Sequence, residues 1–188
     1  NSVIWTVAVQ PDGKILIGGG FTSLQPNGAP SATPRDNMAR LNSSGTLDAA
    51  FDPKPSSNVY TLALQPDGRI LVGGLFTSLK PNGAPTATPR QFLARVNADG
   101  TLDSAFDPTP DNVPYTMALQ ADGRFLVGGA FSNLQPNGSP VPIAREGIAR
   151  FNADGSLDPA FDPSAFNVRT VALQADGRIL VGGNFTRA

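Results

Sequence analysis

The residues best suited to chemistry lie in two oxygen-rich stretches, Asn97-Ala-Asp-Gly-Thr-Leu-Asp103 and its copy at 152–158. Asn97, Asp99 and Asp103, with Asn152, Asp154 and Asp158, offer carbonyl and carboxylate oxygens around a central glycine, the donor type that holds calcium. Calcium takes about six to eight oxygens, and an EF-type loop starts with an acidic residue two before this asparagine. Here that position is Arg95, a cation. A third version, Asn42-Ser-Ser-Gly45, lacks the carboxylate. An Asx-type turn accounts for all three copies, so no calcium requirement and no other cofactor are expected.

Other reaction types find little support. The chain has no histidine and no cysteine, which removes Ser-His-Asp and Cys-His arrangements, thiolate metal sites and disulfides. A paired-carboxylate hydrolase needs two acids whose environments push their pKa values apart. The aspartates recur at the same turn positions instead, and nothing singles out one pair. Gly73-Gly74 could suggest a phosphate cradle, but no helix pattern and no Lys-Ser/Thr pair follow. The chain is therefore expected not to be an enzyme. Asn42-Ser-Ser44, Asn137-Gly-Ser139 and Asn184-Phe-Thr186 fit the short N-glycosylation pattern, and Ser31-Ala-Thr-Pro34 and Thr86-Ala-Thr-Pro89 would suit O-linked sugar equally weakly.

A chain of 188 residues is normally one domain. Its formal net charge of −1 gives no electrostatic case for nucleic acid or an anionic membrane. No apolar run approaches the roughly 20 residues of a membrane span. Acidity comes almost wholly from aspartate, with Glu146 the only glutamate, and aspartate suits turns rather than helices. The chain begins at Asn1 without methionine or a signal-like segment, and is expected to be a processed or excised piece.

The elements that would position these residues repeat. Asp-Gly pairs begin at positions 12, 67, 122 and 176, separations of 55, 55 and 54 residues, the mark of stacked units. Around each pair the sequence reads as a β-hairpin, most cleanly at Leu62-Ala-Leu-Gln-Pro-Asp-Gly-Arg-Ile-Leu-Val-Gly-Gly74. Leu62 and Leu64 alternate with polar or small residues, Pro66, Asp67 and Gly68 supply the turn, and Ile70-Leu-Val72 suits a strand buried on both faces. The glycine pair is expected at a bulge or a close backbone approach. Phe21, Phe76, Phe131 and Phe185 hold one register, as do Phe51, Phe106 and Phe161, and are expected to be packing anchors.

Long polar connections follow the hairpins, each with a Pro-Asn-Gly turn containing Asn27-Gly28, Asn82-Gly83 or Asn137-Gly138. Loops of this length are uncommon unless functional or disordered, and these three are candidate interaction loops on one face, or surface insertions. A third strand runs through Met38-Ala-Arg-Leu-Asn42 and its counterparts at 93–97 and 148–152, and a short fourth segment (101–108 in the second unit) closes each unit. Arg40, Arg95 and Arg150 sit in these apolar strands and need partners. Asp48, Asp103 and Asp158 lie eight residues on, so Arg–Asp pairs are expected as structural elements. Units of four short antiparallel strands, at 1–57, 58–112, 113–166 and a partial 167–188, match β-propeller blades in an all-β chain.

The strings LALQPDGRILVGG.F and ARVNADGTLDSAFDP resemble the delta-60 repeat, also described as a β-propeller domain of unknown function. The resemblance covers three complete units and the first half of a fourth. It implies a propeller-like fold found mainly in large secreted or surface-associated bacterial proteins, and it carries no established catalytic residues. The long Pro-Asn-Gly loops depart from the simpler family pattern. The expected function is a non-enzymatic extracellular structural or interaction module; the alternative is a glycan- or peptide-binding module using the long-loop face, which clustered exposed aromatics would favour. The last hairpin, 168–185, is expected to leave a strand edge and apolar residues such as Ile179 and Val181 uncovered. Its partners would then be copies of the chain joined head to tail, or the rest of a longer polypeptide.

Overall fold

The structure, a computed structural model, describes residues 3–136 and 139–184. Asn137, Gly138 and Phe185 lie outside the described residues. The first unit contains β1 (Ile4–Val9), β2 (Ile15–Gly19), β3 (Ser23–Leu24), β4 (Thr33–Pro34) and β5 (Met38–Leu41). The second repeats them as β6 (Val59–Leu64), β7 (Ile70–Gly74), β8 (Ser78–Leu79), β9 (Thr88–Pro89) and β10 (Leu93–Val96). The third has β11 (Pro114–Leu119), β12 (Phe125–Gly129), β13 (Asn133–Leu134), β14 (Ile143–Ala144) and β15 (Ile148–Phe151). The fourth has β16 (Val168–Leu173) and β17 (Ile179–Gly183). The one helical turn among the described elements is 3-10, at Pro81–Gly83.

Each complete unit is an antiparallel meander of three strands, β1-β2-β5 and its counterparts β6-β7-β10 and β11-β12-β15. The hairpin turns close as their chemistry dictates. Gln65 N donates to the Arg69 carbonyl, Arg69 N donates to Asp67 Oδ1, and Gly68 takes a φ of +84°. The fourth segment makes only one bridge per unit, Leu41 to Leu47, Val96 to Leu102 and Phe151 to Leu157, rather than a regular strand. The cause is local: the carboxylates of Asp48, Asp103 and Asp158 each accept from the amide two residues on. That Asx turn bends the chain away from the sheet edge.

The glycine pair serves two neighbours. A Cβ on Gly18 or Gly128 would lie 2.6 Å from the Cγ1 of Val59 or Val168 in the following unit, so the first glycine admits that unit. A Cβ on Gly74 would sit on the Asn58 carbonyl oxygen, which accepts from Leu75 N at 2.8 Å. Gly19 and Gly129 face the carbonyls of Val3 and Val113 in the same way. The register of each first strand shifts at this point, between Ile4 and Thr6, Val59 and Thr61, Pro114 and Thr116, and Val168 and Thr170. One residue per unit is thus extra to the ladder: Trp5, Tyr60, Tyr115 and Arg169.

The units pack side by side, with β1, β6, β11 and β16 as neighbours. Most of the core lies between units, and one smaller cluster, Ile17, Phe21 and Ala39, lies within the first. Leu16, Met38 and Phe51 of the first unit share a cluster with Val59, Leu62 and Phe76 of the second. Leu71, Leu93 and Phe106 join Phe125, Phe131 and Phe151 in the next, and Leu126 and Ile148 join Val168 and Val171. Phe21, Phe76 and Phe131 are buried, as are Phe51 and Phe106, while Phe161 is partly buried against the last cluster.

Candidate functional site

The most elaborate polar constellation is the joint between units. Arg95 is 1% exposed in the middle of β10. Its Nε donates to Asp103 Oδ2 at 2.7 Å, its guanidinium lies 4.8 Å from the Phe106 ring centre, and Nη2 donates to the Asp154 carbonyl of the next unit at 2.9 Å. Arg40 repeats the arrangement with Asp48, Phe51 and the Ala98 carbonyl. Arg150 keeps Asp158 and Phe161, but bonds no carbonyl of a following unit among the described residues. The strand pattern forces an arginine into the apolar interface, where the carboxylate, ring and carbonyl engage it, although Arg95 Nη1 stays buried without a hydrogen-bond partner.

The long connections are tied down. Asn82 Nδ2 donates to the Asp99 carbonyl at 3.0 Å, and Asn82 Oδ1 accepts from Asp52 N of the preceding unit at 2.9 Å. Asn27 likewise donates to the Ser44 carbonyl. Both asparagines have positive φ, and Gly28 and Gly83 follow in the same region. A second arginine set does similar work. Arg35, Arg90 and Arg145 are buried, bond the carbonyls of Ala49, Ser104 and Pro159, and pair with Asp52, Asp107 and Asp162. Sequence reasoning passed over this set, although the recurring Pro-Arg or Ala-Arg at 55-residue spacing was available as its signal.

The oxygen-rich stretches close on themselves. Asp99 Oδ1 accepts from both the amide and the hydroxyl of Thr101, and Asn97 donates to the same hydroxyl. Asp154, Asn152 and Ser156 repeat this. Asp103 and Asp158 are not part of these turns; their Oδ2 atoms belong to Arg95 and Arg150. Among the described residues no three acidic side chains gather in metal-binding reach.

These bonds hold the carboxyls below their usual value of 3.8. For Asp99 the chief cause is the Thr101 hydroxyl, and for Asp154 the Ser156 amide. For Asp103, burial raises the pKa, but the Arg95 hydrogen bond, the Ala105 amide and further contacts with Arg95 and Arg69 outweigh it. A depressed folded-state pKa contributes stability above the unfolded value and loses it as pH falls through the folded one. With no histidine to titrate near neutrality, the urea midpoint should stay level from about pH 5 to 8 and fall below about pH 4. A midpoint that rises on acidification would contradict this assignment.

The extra residues of the four bulges form a row. The rings of Trp5 and Tyr60 meet edge to face with centres 5.0 Å apart, and those of Tyr60 and Tyr115 lie 6.3 Å apart. The guanidinium of Arg169 covers Tyr115 at 4.1 Å. Trp5 is 44% exposed, Tyr60 and Tyr115 are half-buried, and Arg169 is exposed.

A family of β-propeller repeats described as "Domain of unknown function (DUF5122) beta-propeller" matches residues 10–51, 65–106, 120–161 and 174–188. The chain belongs to this family. No curated protein matches the chain. The DUF5122 chain is also similar to a solved structure, the WD40 β-propeller domain of Doa1, with a TM-score of 0.61 at 14% identity. The match covers 97% of the DUF5122 chain and 48% of that one, so it spans about half the length of the Doa1 structure. At this identity the likeness concerns the fold: repeated antiparallel sheets arranged as in a propeller.

The outer faces of the first and fourth DUF5122 units differ from their internal equivalents. Leu16, Leu71 and Leu126 are each 0% exposed against the following unit, whereas Leu180 at the same register is 55% exposed. Ile4, Val7 and Val9 are exposed, while their counterparts Val59 and Leu62 are buried and Leu64 is half-buried. Ile179 and Val181, expected to be uncovered, instead pack back against the third unit beside Leu126 and Ile148. Strand alternation sends Leu180 alone the other way. Between the third and fourth units, at their hairpin turns, an open cleft of about 840 Å³ is lined by Gln120, Asp122, Arg150 and Gln174.

Proposed function

We propose that this DUF5122 chain is a non-enzymatic, extracellular structural or interaction module whose outermost faces are covered by further repeats, those of a second copy or of a longer polypeptide. The observation that carries the reading is the difference between Leu180 and its three buried equivalents. The first two joints each bury a leucine, stack a guanidinium on a phenylalanine ring and bond it to a carbonyl of the next unit. The third joint has the Arg150 guanidinium and an open cleft beside it, and the first unit offers Ile4, Val7 and Val9 as the complementary apolar face. Unsatisfied complementary ends give a head-to-tail contact, which closes into a ring or extends as a filament.

The extracellular part of the proposal is supported by the family resemblance, and the non-enzymatic part by the lack of histidine and cysteine and by aspartates engaged in turns and joints. Light scattering on the purified 188-residue chain tests association directly. A mass that rises with concentration is expected, and Leu180→Lys should lower it toward that of the monomer. A monodisperse monomer with a cooperative melt would overturn the reading.

A further inference from the structure

We propose that Trp5, Tyr60, Tyr115 and Arg169 form a binding site for an acidic glycan, a chain of sugars bearing carboxylates. The site does not depend on the assembly described above. Its geometry comes from the fold: each unit needs a bulge beside its glycine pair, and each bulge releases one side chain from the ladder. Four successive units therefore present four side chains along one line, three of them aromatic and the last cationic.

The arginine points to an anion. Every other described arginine pairs with a carboxylate, whereas Arg169 has none among the described residues. Its guanidinium is held over the Tyr115 ring, which fixes the plane while leaving its edge N–H groups to an incoming acceptor. A carboxylate is the geometric match for that fork.

The rest of the row points to sugar. Aromatic faces pack against the C–H faces of a pyranose, and tyrosine and tryptophan combine such a surface with a polar handle. Hydroxyl groups also need donors and acceptors nearby, and asparagines stand two residues before the bulge in the second and fourth units, Asn58 and Asn167. A Cβ placed on Gly20 would meet Asn58 Oδ1 at 2.9 Å and the Trp5 ring at 3.0 Å, so that amide and the indole are neighbours. Asn167, two residues before Arg169, has a buried Oδ1 with no hydrogen-bond partner. A linear ligand with a repeating ring suits a site that repeats once per unit.

Trp5 is the only tryptophan, so its fluorescence reports on the site. The full chain would be titrated with an oligogalacturonate, with a neutral galactose oligomer of the same length, and with an oligoglutamate peptide. A saturable change with the oligogalacturonate is expected, with affinity about tenfold or more above that for the neutral oligomer. Arg169→Gln should erase that preference, and Tyr115→Ala should weaken both sugars; Arg178→Gln, at an exposed arginine paired with Asp176, should change neither. Arg169 is exposed, so its variant keeps the test decisive if Tyr115→Ala fails to fold. No saturable signal, an unchanged preference in Arg169→Gln, or equal binding of the oligoglutamate peptide would each overturn the proposal.

Discussion

Replacing Arg95 with alanine should lower the stability of the fold by about 3–5 kcal/mol at neutral pH, because the Asp103 carboxylate would lose its main partner in a largely buried setting. The same substitution removes the cation over Phe106 and the donor to the Asp154 carbonyl. Arg69 Nη1, 3.3 Å from Asp103, retains part of the compensation and draws the loss toward the lower end of that range. Arg95→Met separates charge from volume: it fills the space but still strands the carboxylate, so it should recover little. The double variant Arg95→Met/Asp103→Asn should recover more than either single change. Urea unfolding at pH 7 reads all three. A loss below about 0.5 kcal/mol for Arg95→Ala would mean that the arginine is merely solvated.

The second large effect is expected at Gly74. A methyl group there has nowhere to go, since its position coincides with the Asn58 carbonyl oxygen that Leu75 N already binds. Backbone cannot swing aside as a side chain can, so Gly74→Ala should cost about 4 kcal/mol or more, at the extreme of single-residue effects. Gly83→Ala is the contrast. Gly83 has a φ of +76° and nothing within 4 Å of an added Cβ, so only the left-handed conformation is strained, at about 1–2 kcal/mol. Equal losses at the two positions would show that backbone conformation, not the close approach, sets the need for glycine at 74.

Features that depend on neighbours in sequence were legible before the fold was known. The Asp-Gly turns, the paired strands around them and the eight-residue Arg–Asp spacing follow from local chemistry. The fourth segment was harder, because its apolar pattern suits a strand while the Asx turn of Asp103 ends the pairing after Leu102. The aromatic row was not visible for a different reason. Trp5, Tyr60 and Tyr115 share a 55-residue register in the sequence, but only the bulge decides that they leave the ladder together. The tie between Asn82 and Asp52 joins positions 30 residues apart and likewise required the packing of one unit on the next. The bonds of the loop asparagines Asn27 and Asn82 to the scaffold have no local signal in the sequence.

The joints grip backbone, and that has an evolutionary consequence. Arg40 bonds the carbonyl of Ala98 and Arg95 that of Asp154, atoms that every residue type supplies. This polar part of the joint does not read which side chain the following copy carries at the bonded position. Units that share the apolar residues of the joint can then be duplicated, deleted or reordered by recombination without new polar matches at each junction. Copy number becomes free to vary while the junction chemistry stays constant, leaving side chains such as those at the bulges to diversify from one copy to the next.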